Sequence, residues 1–148
     1  MDTQRPVFEL RLRHSPSGKV EVWDPTRKKY IVLTPEEWVR QQFLLYLTEH
    51  LKYPRSLIVV EKGIIYNGLQ KRIDLMISDR KGQPFLLAEF KSPKIALTAD
   101  VLHQSSIYTY ALGAQYLVLD NHVQTIVWKR SGDKGFIPTE GLPGIEEL

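Results

Sequence analysis

Apolar and polar positions alternate over Val7-Phe8-Glu9-Leu10-Arg11-Leu12-Arg13, the pattern of a half-exposed strand. The turn His14-Ser15-Pro16-Ser17-Gly18-Lys19 follows, and Val20-Glu21-Val22-Trp23 returns. After Asp24-Pro25-Thr26-Arg27-Lys28-Lys29, a third short strand is expected over Tyr30-Ile31-Val32-Leu33, which completes an N-terminal meander covering one side of the core. The period then changes to that of a helix. Thr34 is placed as N-cap, Pro35 as first helical residue and Glu37 as capping-box acid, with Leu33 and Trp38 as a hydrophobic staple. The helix runs to about Leu51 and stops before Pro54. At 100° per residue Val39, Phe43, Tyr46, Leu47 and Leu51 form one apolar face.

Period-2 and continuous apolar runs return after Pro54. Ser56-Leu57-Ile58-Val59-Val60-Glu61 is a continuous run, expected for a strand covered on both faces. Two further strands are expected over 71–77 and 85–91, joined by Ser78-Asp79-Arg80-Lys81-Gly82-Gln83-Pro84. A second helix is expected from Thr98 to Leu112 with Gly113 just past its end, and Val101, Gln104, Tyr108 and Ala111 fall along one stripe of it. Tyr116-Leu117-Val118-Leu119 and Val123-Gln124-Thr125-Ile126-Val127-Trp128 read as two more strands around Asp120-Asn121-His122. Residues 131–148 are polar and rich in Gly and Pro, so a loose tail is expected there.

Composition narrows the classes. The chain has 148 residues, 43% hydrophobic and 25% charged, a profile of one soluble globular domain. No apolar run approaches membrane-spanning length, no secretory h-region opens the chain, and a cytoplasmic location is expected. With no cysteine, disulfides, zinc–thiolate sites and thiol nucleophiles are excluded. A net charge of +3 is compatible with a polyanionic partner without arguing for one. The Glu140–Leu148 end carries three acids and no base.

Chemistry concentrates where charges interrupt the apolar strands. Glu89 and Lys91 are two apart and share a strand face, and Asp74 is placed opposite them on the preceding strand. Burying these charges requires mutual pairing or a metal. Two converging carboxylates with the nearby carbonyl of Phe90 make a hard oxygen site suited to magnesium. The lysine then orients or deprotonates a water, or steadies charge on a phosphate. A salt-bridged, solvated hairpin is the competing reading. Glu36 falls near the middle of the first helix's apolar face with Arg40 one turn on, while Glu37 at its edge is explained by capping. Pairing of Glu36 with Arg40 alone is one reading of that position. Lys71 and Arg72 flank the site, either as a solvated strand end or as phosphate contacts.

Asp74 followed by Glu89-Phe90-Lys91 resembles the PD-(D/E)xK nuclease superfamily, with Ile73 where the motif name has proline. Gln104-Ser105-Ser106-Ile107-Tyr108 is similar to the Gln-x-x-x-Tyr element of its RecB-type members. Closer still, Thr34–Gln41, Lys71–Leu75, Ala88–Pro93 and Tyr116–Asn121 resemble the N-terminal nuclease domain of type I restriction enzyme R subunits. The resemblance spans roughly residues 34 to 130. It implies an α+β, restriction-endonuclease-like αβββαβ core with a mixed central sheet flanked by helices. Residues 1–33 would be the meander, 34–130 the nuclease core and 131–148 the tail.

The implied function is Mg²⁺-dependent DNA cleavage, with Mn²⁺ as substitute. Asp74 and Glu89 would hold the metal with help from Glu36, while Lys91 and Gln104 complete the catalytic set. The resemblance thus implies a functional Glu36 and a structural Glu37. Lys71, Arg72, Lys94 and Tyr108 are the implied DNA contacts. A helicase motor follows this domain in full R subunits. No GxxxxGK[ST] phosphate loop occurs here, so the chain is expected to stand alone or to work with a motor or restriction-system subunit in trans, or as a homodimer. The alternative function is a non-catalytic DNA-binding or assembly module on the same fold.

Overall fold

The computed structural model describes residues 5–66, 68–98, 100, 113–132 and 135–148. Three short strands come first: β1 (Leu12–His14), β2 (Val20–Asp24) and β3 (Lys29–Val32), antiparallel in the order β1-β2-β3. The meander is present as expected, with a difference in its first arm. Residues 5–11 are not a strand. They cross α1 (Pro35–Leu45) in extended form, and the Gln42 side chain serves as their pairing partner. Gln42 Oε1 accepts from the Phe8 N–H at 2.7 Å, and its Nε2 donates to the Phe8 carbonyl at 2.8 Å. Arg5 then reaches the buried Asp120 in a two-pronged bond of 2.7 and 2.9 Å.

The first helix begins as its sequence dictates. Thr34 is extended (φ −93°, ψ 166°), and its hydroxyl accepts from the Glu37 N–H at 3.1 Å. The regular helix ends at Leu45, and a wider turn continues it over Tyr46–His50. Val39, Phe43, Leu44 and Leu47 are fully buried against one face of the main sheet.

That sheet has six strands in simple sequence order: β4 (Ile58–Tyr66), β5 (Leu69–Ser78), β6 (Pro84–Phe90), β7 (Tyr116–Asp120), β8 (Thr125–Arg130) and β9 (Phe136–Thr139). All neighbours are antiparallel except β6 and β7. A parallel pair needs a long crossover, which here lies between Phe90 and Tyr116. Most of the expected second helix, with His103, Gln104 and Tyr108, falls outside the described residues. The β5–β6 turn closes on Asp79, whose Oδ1 accepts from Lys81 N and Gln83 N at 2.9 Å each. Gly82 there takes φ +82°, a region that glycine enters without steric cost.

Two expectations need correction. β4 is an edge strand, and Val59 stays 39% exposed, so its continuous apolar run does not mark burial on both faces. The stretch expected to be a loose tail is built into the fold. β9 extends the sheet, Leu142, Ile145 and Leu148 pack on the core, and the Tyr53 hydroxyl donates to the Pro143 carbonyl. Its apolar residues are too sparse for a periodic signal, and their contacts are with residues distant in sequence.

Candidate active site

The register of three strands places the site. β5 and β6 pair from Ser78↔Pro84 to Leu75↔Ala88, so Asp74 and Glu89 stand level one step beyond. There the backbone ladder gives way to a side chain: Asp74 Oδ2 accepts from the Phe90 N–H at 2.8 Å. On the other side, Val60↔Leu75 and Lys62↔Ile73 bracket Glu61, level with Asp74. Glu61 has φ +56°, a left-handed conformation that costs a non-glycine residue about 1–3 kcal/mol. Glu61, Asp74 and Glu89 thus form one row across three adjacent strands. Lys91 follows where β6 ends, its N–H bound to the Asp120 carbonyl at 3.0 Å.

Burial and proximity decide the protonation of this row. Burial pushes the Glu89 carboxyl up, as do the negative charge of Asp74 and a hydrogen bond between the two carboxyls. Lys91 pulls the other way and Glu61 adds to the rise, leaving Glu89 at about 9. Near neutral pH Glu89 is therefore protonated and donates to the Asp74 carboxylate.

A cleft of about 180 Å³ opens beside the row, lined by Thr34, Glu36, Glu37, Arg40, Glu61, Asp74 and Phe90. Arg40 is its hub. The guanidinium donates to Glu37 Oε1 at 2.5 Å and Oε2 at 2.9 Å, to Glu61 Oε1, and more distantly to the Asp74 carbonyl at 3.4 Å. Glu37 also accepts from Arg27 Nη2 at 2.8 Å and Gln41 Nε2 at 3.2 Å. Arg27 in turn holds the buried Asp24 at the end of β2. Burial alone would raise the Glu37 pKa, but hydrogen bonds and charge from Arg40, then Arg27, outweigh it and hold the group below its ordinary value.

The two glutamates of the first helical turn exchange the places expected of them. Glu37 is the buried acid at 4% exposure and the partner of Arg40, whereas Glu36 is exposed on the cleft rim. The apolar-face reading failed because α1 is covered twice, by the sheet and by residues 5–33. Gln41 and Gln42 are consequently buried as well. Glu61 and the Arg27 link are two further parts of the site that sequence patterning does not single out. An acid ending an apolar run was the available signal for Glu61. Arg27 offered none, because its partner Glu37 is set by the meander's packing.

Lys71 and Arg72 lie on the β4–β5 hairpin beside a larger concavity of about 460 Å³ shared with Gly63, Ile64, Ile65 and Gln70. Arg72 also reaches Glu61 at 3.5 Å. Lys94 is exposed in the loop after β6. Gln104 and Tyr108 lie outside the described residues.

The donor set fits a hydrated divalent cation. Asp74 and Glu89 are hard oxygen donors held in contact with each other by a proton whose place a cation would take. Among the described residues no three His, Cys, Asp or Glu side chains form a ready cage. Two protein carboxylates with water completing the shell is the habit of Mg²⁺ rather than of a structural zinc.

Comparison with known families agrees with the fold. The family model described as type I restriction enzyme R protein N terminus matches residues 35–143. No curated protein matches the chain. Among the described residues no helix is long and apolar enough to cross a membrane.

Proposed function

The chain belongs to the type I restriction enzyme R protein N-terminal family, and from that premise we propose that it is a Mg²⁺-dependent DNA endonuclease domain. The observation that carries the reading is the Asp74–Glu89 carboxyl contact at the end of a strand pair, with Lys91 two residues beyond Glu89. Asp74 and Glu89 would hold Mg²⁺, or Mn²⁺ in its place, with the Phe90 carbonyl nearby and Glu36 on the rim. The bound metal would polarise the scissile phosphate and lower the pKa of a water.

The chain's own residues do the rest. The Phe90 N–H fixes the Asp74 carboxylate. Glu89 gives up its proton to become a donor. Lys91 positions the attacking water and steadies the charge of the pentavalent phosphate. Gln104 would orient the lysine or the phosphate, and Lys71, Arg72, Lys94 and Tyr108 would hold DNA phosphates. A motor or restriction-system subunit in trans, or a second copy of the chain, would present the DNA.

Nicking of supercoiled plasmid with Mg²⁺ or Mn²⁺ tests this. Wild type is expected to nick, chelation to stop it, and Asp74→Asn or Lys91→Gln to lower the rate by about 100-fold or more. Undiminished nicking in both variants would overturn the assignment.

One observation favours a second reading, a non-catalytic DNA-binding or assembly module. Arg40 already neutralises Glu37 beside the row and Glu61 within it, so part of the cleft's charge is satisfied internally. Metal-independent DNA binding without any nicking would support it.

A further inference from the structure

The charge of the chain is not spread evenly. Residues 1–34 hold seven basic and four acidic side chains, while residues 35–148 hold thirteen of each. The whole net charge of +3 therefore belongs to the meander and the arm before it. Within the meander, Arg11, Trp23 and Tyr30 fall in one cross-strand row. Trp23 pairs with Tyr30, and the Trp23 N–H bonds to the Arg11 carbonyl at 2.8 Å. The rings meet edge to face at 5.3 Å, and the Arg11 guanidinium lies 5.2 Å from Trp23 and 5.8 Å from Tyr30.

Arg11 differs from its neighbours in what it does not hold. Arg13 is bound to Glu21 at 2.9 Å and Arg27 to Asp24 and Glu37. Among the described residues the contacts of Arg11 are the two rings, the second shared with Arg13 at 3.9 Å, and its N–H groups are left for an anion. It lines a groove of about 210 Å³ between the meander and α1, together with Trp23 and Arg55. Arg55 is 43% exposed and only 3.9 Å from its nearest acid, Glu49. Glu9 is the acid lining this groove. The groove is coupled to the cleft through Asp24, Arg27 and Glu37.

We propose that this groove is a DNA-backbone site, in which Arg11, held on Trp23 and Tyr30, and Arg55 bind phosphates of the strand that flanks the cleft. The proposal takes DNA as ligand from the nuclease reading and adds a binding surface outside the catalytic cleft. Two guanidiniums suit phosphate because each presents a planar fork of donors. The site is sequence-independent, since its contacts are to the backbone.

The test is fluorescence anisotropy of a labelled DNA duplex in EDTA over a range of KCl, so that no cleavage occurs. Arg11→Gln/Arg55→Gln is expected to weaken binding roughly ten-fold or more at low salt and to reduce the slope of log affinity against log salt by about 1.8, the value for two lost phosphate contacts. Glu9→Gln, a single exposed change in the same groove, is expected to tighten binding and keeps the test decisive if the arginine pair fails to fold.

Affinity and slope unchanged in the arginine pair, unchanged affinity in Glu9→Gln, or no binding by wild type would each overturn the site. Binding lost in Lys71→Gln/Arg72→Gln but kept in the arginine pair would confine DNA to the hairpin beside the cleft, ending this proposal and leaving the nuclease reading intact. A reduced slope in a protein that never nicks DNA would keep the groove and end the nuclease reading.

Discussion

Glu89 is a carboxylic acid that the fold keeps protonated near neutral pH, and that has a consequence for stability. Its folded pKa of about 9 lies above the ordinary 4.5. Between those values the folded chain keeps a proton that the unfolded chain has released, so this group's contribution is full below about 4.5 and is lost as pH rises through 9. The metal-free protein is expected to lose stability over that window, and Glu89→Gln to flatten the loss, in urea melts at several pH values. Addition of Mg²⁺ should flatten the wild-type curve in the same way, because the cation takes over the proton's role.

Arg40 acts in the opposite sense. Arg40→Ala leaves Glu37 buried with Arg27 as its remaining cation, and a loss approaching 3–5 kcal/mol is expected in the same melts. A loss below about 1 kcal/mol would mean the network is not a structural clamp. Of these residues, Asp74, Glu89 and Lys91 were legible from spacing, since strand geometry alone puts Glu89 and Lys91 on one side. Glu61 was not, because its place level with Asp74 depends on β4–β5 register and on a left-handed backbone that no local pattern announces. The exchange of Glu36 and Glu37 was hidden for a related reason: which glutamate turns inward depends on Arg27, ten residues away.

At the scale of elements, local chemistry was read well where it is local. The Thr34 cap, the Asp79–Gly82 turn and the β5–β6 hairpin follow from turn and cap residues. Elements held by distant partners were read poorly. The 5–11 arm alternates like a strand, yet it pairs with the Gln42 amide instead of another strand. The end of the chain looks loose in composition, yet Tyr53 and Tyr116 anchor it through Pro143 and Glu147. Tyr53→Phe removes one of these anchors and leaves a buried carbonyl unpaired. About 1–3 kcal/mol should be lost in urea melts, with faster proteolysis after residue 139. A neutral result in both would return the segment to the status of a tail.

Across the whole molecule, the six-stranded sheet brings its acids to one row, α1 closes one side of the cleft, and the meander reaches the same cleft through Arg27. The residues 35–143 that match the family hold the core and the acid row, while the net positive charge lies in the meander and the arm before them. On the proposed reading, cleavage and the groove's DNA contacts fall to different layers of one fold. Cleavage, unlike the groove's hold on DNA, would depend on the Asp74–Glu89 pair taking a cation. The most direct test is calorimetric titration of Mg²⁺ and Mn²⁺ at pH 7 in two buffers of different ionisation enthalpy, into wild type and into Asp74→Asn/Glu89→Gln. The account predicts saturable binding by wild type with release of about one proton, from Glu89, and no binding by the double variant. Equal binding by both proteins, or none by wild type, would contradict it.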